Sequence, residues 1–276
     1  SDKIIVKSPI VGTAYLHKKD EYFHLNWESM DIVNNKPRYK RVQREISRLS
    51  GTTKKVTMKP GEKKDPIPLT DWEKRLVSSS ARFAELYPED KKVIGFIYES
   101  AYMLYYKFRF AEAADQFKRV IKMDPRSKQA ETAANLILDS FVINEDWENL
   151  KKNSKFYYEQ EKLGSSSFKK EVYQIYENAS FKVIEVDLGK DEDKSKAADR
   201  FVAFYEEFPE SKVAAKALNN ASVYYTQVDR LVDSLKIRHI LVEDPKFGPK
   251  TKYYYDQISN LGFNYETVAD FEKAAF

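Results

Sequence analysis

From Asp71 onward the apolar residues recur at spacings of three and four, as in Phe110, Ala113, Ala114, Phe117, Val120 and Ile121. That spacing is the stripe along one face of a helix. Strict alternation, the signature of a half-buried strand, is almost confined to a short piece near the start, IIVKSPIVG at Ile4 to Gly12. Residues 15–50 read as helical with a break near Asn34 to Pro37, residues 51–68 as a Pro/Gly/Lys-rich loop, and residues 187–196 as an extended hairpin tip. Four prolines follow helical runs: Pro88, Pro125, Pro209 and Pro245, separated by 37, 84 and 36 residues. A proline there ends one helix and opens the next turn. The middle interval is close to twice 42 and holds another turn signal, KLGSSS at Lys162 to Ser167. The chain is therefore punctuated every 36 to 42 residues, the period of stacked helical hairpins. The predicted fold class is all-α: an α-solenoid of antiparallel helix pairs over residues 69–276, behind an irregular basic segment at residues 1–68.

The punctuated segments resemble tetratricopeptide repeats, in which small residues on helices A and B allow close approach and large ones fill the space beside them. From Tyr255, Ile258 takes the first large position, Leu261-Gly262 the Leu-Gly pair, Tyr265 the tyrosine and Ala274 the second small position. From Ile94, Ala101 and Ala113 take the small positions, Phe117 the aromatic one and Pro125 the stop. From Ala214, Ala221, Tyr224, Ile237 and Pro245 fit, while Asp233 departs at the second small position. From Val172, Ala179 fits, and about six extra residues precede Ala197, Phe201 and Pro209. The segment from Glu131 fits least well, with Leu150 where a small residue belongs. Trp72 to Pro88 resembles a lone helix B. The resemblance implies a superhelix of about five repeats, the last one truncated. DFEKAAF mirrors RFAEAADQF at Arg109 to Phe117, so the array is expected to continue past Phe276.

A second resemblance concerns location. Phe204 to Tyr225, FYEEFPESKVAAKALNNASVYY, is similar to the repeats of periplasmic envelope proteins of Gram-negative bacteria, namely outer-membrane assembly lipoproteins and the Tol-Pal-associated coordinator of constriction. Met123 to Asn135 follows the same logic. The resemblance implies a periplasmic or envelope-associated protein. Cytoplasmic location is the alternative.

Composition narrows the chemistry. Eight glycines are few for a fold that cradles phosphate in glycine turns, and the absence of cysteine excludes disulfides, thiolate metal sites and cysteine nucleophiles. No run of about 20 apolar residues suits a membrane span. The net charge of +4 is uneven: residues 1–92 carry +7 and the remainder −3. Lys36 to Lys64 holds 11 basic residues against Glu45 and Glu62, with Lys36, Arg38, Lys40, Arg41, Arg44 and Arg48 as its helical part. Only Tyr39 is interleaved there, so base stacking and a nucleic-acid partner are disfavoured. Contact with an anionic membrane surface, through this segment or an anchor outside the sequence, stays open.

No motif carries catalysis. His17 and His24 could share a helix face, but no carboxylate completes a metal site with them or with His239. The run Asp187, Asp191, Asp193 lacks the central glycine of a calcium loop and has Val202 where its bidentate Glu belongs. FGPKT at Phe247 to Thr251 has Glu243 in place of the first P-loop glycine. No metal, no cofactor and no enzymatic activity are expected.

The 19 tyrosines point elsewhere. The resemblance implies that certain helix A positions line a concave groove where partners bind. Those positions hold Tyr98, Tyr102 and Tyr105 in one repeat, Asn135 and Asp139 in the next, then Tyr173 and Tyr176, then Tyr225. Tyrosine offers large area, low entropy cost and one polar handle. The competing reading is that these rings pack between neighbouring A helices. Chaperone-docking members of the family clamp a carboxylate with Lys and Asn. Tyr98, Tyr102, Leu218 and Ser222 stand there instead. The expected function is a non-catalytic scaffold for protein or peptide partners in a bacterial envelope complex. The alternative is a basic adaptor that uses residues 36–64 on nucleic acid or an anionic surface. The oligomeric state is not encoded in any of these features.

Overall fold

A computed structural model describes residues 3–8, 12–17, 65–190 and 193–274. Strand β1 (Lys3–Ser8) pairs antiparallel with β2 (Gly12–His17), with Lys3 opposite His17 and Ser8 opposite Gly12. Two corrections follow. The helix expected from residue 15 does not begin there, because Ala14, Tyr15 and Leu16 are paired with the β-branched run Val6, Ile5 and Ile4. His17 stands in β2, not on a helix face. The rest of the expected 15–50 helix, most of the 51–68 loop and the basic residues Lys36 to Arg48 lie outside the described residues.

From residue 71 every long element is helical: α1 (Asp71–Leu86), α2 (Val93–Tyr106), α3 (Phe110–Met123), α4 (Lys128–Ile143), α5 (Trp147–Glu159), α6 (Ser166–Leu188), α7 (Lys194–Glu207), α8 (Ala214–Gln227), α9 (Leu231–Glu243), α10 (Tyr254–Thr267) and α11 (Phe271–Ala274). The chain forms two compact units, residues 1–146 with 157–169, and residues 147–156 with 170–276. In the first, α1 packs on α2, α2 on α3 and α3 on α4. In the second, α7 packs on α8, α8 on α9, α9 on α10 and α10 on α11. This is the all-α packing of a solenoid, in which each helix rests on its sequence neighbours.

Local chemistry sets the helix ends. Thr70 opens α1 with a capping box: its hydroxyl accepts from Glu73 N–H at 3.3 Å and its own N–H donates to Glu73 Oε2 at 2.8 Å. Ser127 caps α4 with its hydroxyl oxygen, which accepts from Ala130 N–H, and Asp193 caps α7 with its carboxylate, which accepts from Ser195 N–H. Four helices end in one recurring turn. Phe108, Glu145, Asp229 and Ala269 all take positive φ, between 53° and 60°. In each case the next N–H reaches back five residues: Arg109 to Leu104, Asp146 to Phe141, Arg230 to Tyr225 and Asp270 to Tyr265. The bond from the positive-φ residue to the third residue before it is also present, completing a Schellman motif. None of the four residues is glycine. The chain thus repeats a hairpin turn while containing few glycines.

The turns also fix a frame. In α3, the fourth residue after the N-cap is Ala113 and the eighth is Phe117; in α7 they are Ala197 and Phe201, all buried. In α5 Leu150 and Ser154 stand there. In α9 they are Ser234 and Arg238, both buried. Within α9 the frame expected from Ala214 is therefore one residue early: Ser234, not Asp233, fills the small position, and Arg238, not Ile237, fills the aromatic one. At Gly262 an added Cβ would sit 3.4 Å from the Ala274 carbonyl oxygen, in van der Waals contact with α11.

Candidate tyrosine–carboxylate sites

Helix α2, VIGFIYESAYMLYY, buries Phe96, Ile97, Ala101 and Leu104 and leaves a tyrosine row half-buried. Tyr98, Tyr102 and Tyr106 are one turn apart, so their rings meet. Tyr98 and Tyr102 stack at 6.0 Å, and Tyr102 meets Tyr106 edge-on at 4.6 Å, with the two hydroxyls 2.8 Å apart. Burial pushes the Tyr98 phenol up to about 12, although Thr132 of α4 hydrogen-bonds to it. Tyr105 is buried, and its hydroxyl donates to the exposed Asp139 carboxylate of α4. Burial first, and then that carboxylate, hold the Tyr105 phenol well above the ordinary phenol range. It stays a neutral donor. Asn135 lies one turn before Asp139 on α4, and its buried amide oxygen has no hydrogen-bond partner among the described residues. Tyr98, Tyr102, Tyr105, Asn135 and Asp139 are therefore brought together on α2 and α4. Tyr106 belongs with them, and its i, i+4 relation to Tyr102 was the signal for it.

The other expected residues belong to the second unit. The Tyr173 ring meets Phe208 at 5.8 Å and is half-buried. Tyr176 is buried, meets Phe208 at 5.1 Å, and its hydroxyl donates to Glu207 at 2.5 Å. Tyr225 is buried, and its hydroxyl donates to Asp199 at 2.7 Å. Both carboxylates also carry a cation. Lys155 approaches Glu207 at 3.8 Å and lies 5.4 Å from the Tyr176 ring centre. Arg230 binds Asp199 at 2.9 Å and lies 4.4 Å from the Tyr225 ring centre. Tyr176 and Tyr225 each have their ring under a cation and their hydroxyl on that cation's carboxylate. Sequence reasoning missed Glu207, Asp199, Lys155 and Arg230, because no fixed spacing links them to their tyrosines.

A further polar group was not foreseen. The Arg238 guanidinium is buried, and among the described residues no carboxylate pairs with it. It donates to Ser234 Oγ at 3.1 Å, Gln257 Oε1 at 2.6 Å and Thr226 Oγ1 at 3.2 Å. Burial brings its pKa down to about 10. Asn264 adds a bond to Ser234 at 3.2 Å, and Gln257 one to Asn219 at 2.7 Å. Three helices, α8, α9 and α10, are joined through these side chains.

His239 bonds Glu243 and the Tyr265 hydroxyl at 2.5 and 2.6 Å. Among the described residues no helix is long and apolar enough to cross a membrane.

No family model matches the chain, and no curated protein matches it. Among solved structures it is similar to the crystal structure of BtubC (BKLC) from P. vanneervenii, at 14% identity over 75% of this chain and 88% of that one, with a TM-score of 0.31. A likeness of that size assigns neither a family nor an activity.

Proposed function

We propose that this chain is a non-catalytic helical-repeat scaffold of the tetratricopeptide type, which holds a protein or peptide segment on the tyrosine face of α2 and α4. The observation that carries the reading is the half-buried row Tyr98–Tyr102–Tyr106 beside Asp139. Three rings in a row, each touching the next, give a large, stiff surface that loses little entropy on binding, and the exposed carboxylate supplies polarity at its edge. The repeat assignment draws support from the Schellman turn that recurs at Phe108, Glu145, Asp229 and Ala269. The envelope location rests on the Phe204 to Tyr225 sequence alone. The reading of Lys36 to Arg48 as an anionic-surface contact rests on charge, and binding to anionic vesicles that collapses with added salt would favour it.

The test is quantitative. A partner captured by the full chain from an envelope fraction of the source cells is purified and titrated against wild type and Tyr98→Ala/Tyr102→Ala. Loss of two hot-spot rings should weaken binding at least tenfold, with helix content unchanged by circular dichroism. Unchanged affinity would overturn the tyrosine face as the docking surface.

A further inference from the structure

Among the described residues three buried tyrosines donate their hydroxyls to a carboxylate: Tyr105 to Asp139, Tyr176 to Glu207 and Tyr225 to Asp199. All three tyrosines are equally buried, at 4% exposure. In two of the three a cation completes the group. Lys155 and Arg230 each pair with the carboxylate and lie over the ring, where the negative face of the aromatic attracts positive charge. The third group is incomplete. Among the described residues no lysine or arginine pairs with Asp139, and none lies over the rings of Tyr98, Tyr102, Tyr105 or Tyr106. The nearby cations are engaged elsewhere, Lys107 with Glu73 at 2.9 Å and Arg109 with Glu112 at 2.6 Å. That group is also the one beside the half-buried tyrosine row and an amide oxygen, that of Asn135, that has no donor among the described residues. A guanidinium or ammonium has what the site lacks: positive charge for Asp139, a face for the rings and N–H donors.

We infer that the Tyr105–Asp139 group of α2 and α4 takes a lysine or arginine side chain from the bound protein segment, completing from outside the tyrosine–carboxylate–cation arrangement that Tyr176 and Tyr225 complete from within. The inference rests on the tyrosine face being the docking surface. It makes the partner segment basic at one defined position, opposite in charge to the carboxylate that chaperone-docking members of the resembled family clamp.

The experiment is a selection of 12-residue peptides from a random library on the full-length chain, followed by titration of the purified peptides. Selected peptides should share a Lys or Arg at one position. Replacing it by norleucine or citrulline should weaken binding tenfold or more, and Asp139→Asn should cost about the same. Combining the two changes should cost little beyond either alone, because both remove one interaction. Asn still accepts a hydrogen bond from Tyr105, so the fold is kept, and circular dichroism checks it. Peptides that lose affinity in Tyr98→Ala/Tyr102→Ala but bind Asp139→Asn as tightly as wild type overturn the cation inference and leave the docking face standing. Peptides indifferent to the tyrosine changes, or a library that yields no binder, overturn both.

Discussion

The α2–α3 pair and the α8–α9 pair close with the same Schellman turn and put a small buried residue, Ala113 or Ser234, at the same place on the second helix. One turn later they diverge. Phe117 fills the space in α3 with an apolar ring that touches Tyr98 at 5.9 Å. Arg238 fills it in α9 with a guanidinium that donates to hydroxyl and amide groups. Both side chains are all but fully buried. The same backbone therefore accepts two different cores, provided that each is internally consistent. A ring needs apolar neighbours. A guanidinium needs acceptors, and Ser234, Thr226 and Gln257 supply them.

The largest effect should come from crossing the two designs. Phe117→Arg would place an unpaired cation among apolar residues, and stability should fall by more than about 4 kcal/mol, enough to leave the first unit largely unfolded. Urea titration followed by near-ultraviolet circular dichroism measures it. A folded variant with an ordinary midpoint would show that the α2–α3 core tolerates charge and that the comparison has no content.

A turn glycine gives the next largest effect. Gly164 has φ +70°, its N–H donates to Pro125 O at 2.9 Å, and an added Cβ would lie 2.4 Å from the Phe168 ring. Gly164→Ala combines a left-handed backbone penalty with that overlap, and should cost about 2–3 kcal/mol by the same measurement. A loss below about 0.5 kcal/mol would mean that Phe168 moves aside freely.

Replacing the polar core as a set sharpens the comparison from the other side. Arg238→Met with Gln257→Leu removes the buried charge and its shortest partner together. Serine and threonine keep their bonds to the Ser222 carbonyl, which accepts from Ser234 at 2.9 Å and from Thr226 at 3.0 Å. Exchange of buried charge for packed apolar groups is commonly neutral to stabilising, so a gain of about 1 kcal/mol is expected. Arg238→Met alone should do worse than the pair, because it leaves the buried Gln257 Oε1 with only the long 3.4 Å bond from Ser222 Oγ. If the pair is more damaging than the single change, the network contributes stability as well as register.

Much of this contrast was legible in the sequence, and the missing part has a physical origin. The helices, their prolines and the small positions follow from local periodicity. Ala101, Ala113, Ala179, Ala197 and Ala221 are all buried as the repeat spacing requires. The frame of α9 slipped by one residue because Ile237 is apolar and Arg238 is charged, and a periodicity argument always prefers the apolar residue. Only the three-dimensional set of acceptors makes the arginine acceptable there. The tyrosines were legible as a class. Their division was not, because the carboxylates and cations that hold Tyr176 and Tyr225 come from neighbouring helices at no fixed separation. Tyr105 reaches Asp139 from α2 to α4, across 34 residues of sequence.

Acid should probe the first unit more gently. Glu131 is buried, accepts from Lys128 Nζ at 2.6 Å and from Ser165 N–H at 2.7 Å, and the Lys128 ammonium above all holds its carboxyl below the usual range. A carboxylate depressed in the folded state contributes stability that is complete above its unfolded pKa and is lost as pH falls through the folded value. The midpoint of urea unfolding for the first unit should therefore drop below about pH 4.5, and Glu131→Gln should flatten that acid limb while lowering the neutral-pH midpoint modestly. An acid limb unchanged in the variant would assign it to other carboxylates.

The smallest effect tests why the Schellman turns do without glycine. Glu145 has φ 53° and is exposed, so a glycine there would relieve backbone strain at little loss of contact. Its own greater freedom in the unfolded chain offsets part of the gain, and Glu145→Gly should raise stability by only about 0.5 kcal/mol. Phe108 occupies the equivalent turn with a nearly identical φ of 58°, but it is buried and its ring lies 6.3 Å from Phe110. Phe108→Gly should therefore lose about 3 kcal/mol despite the same relief of strain. Opposite signs at two turns of one geometry would show that side-chain packing, not backbone preference, chose the residue at Phe108. Equal signs would show that the turn alone governs both.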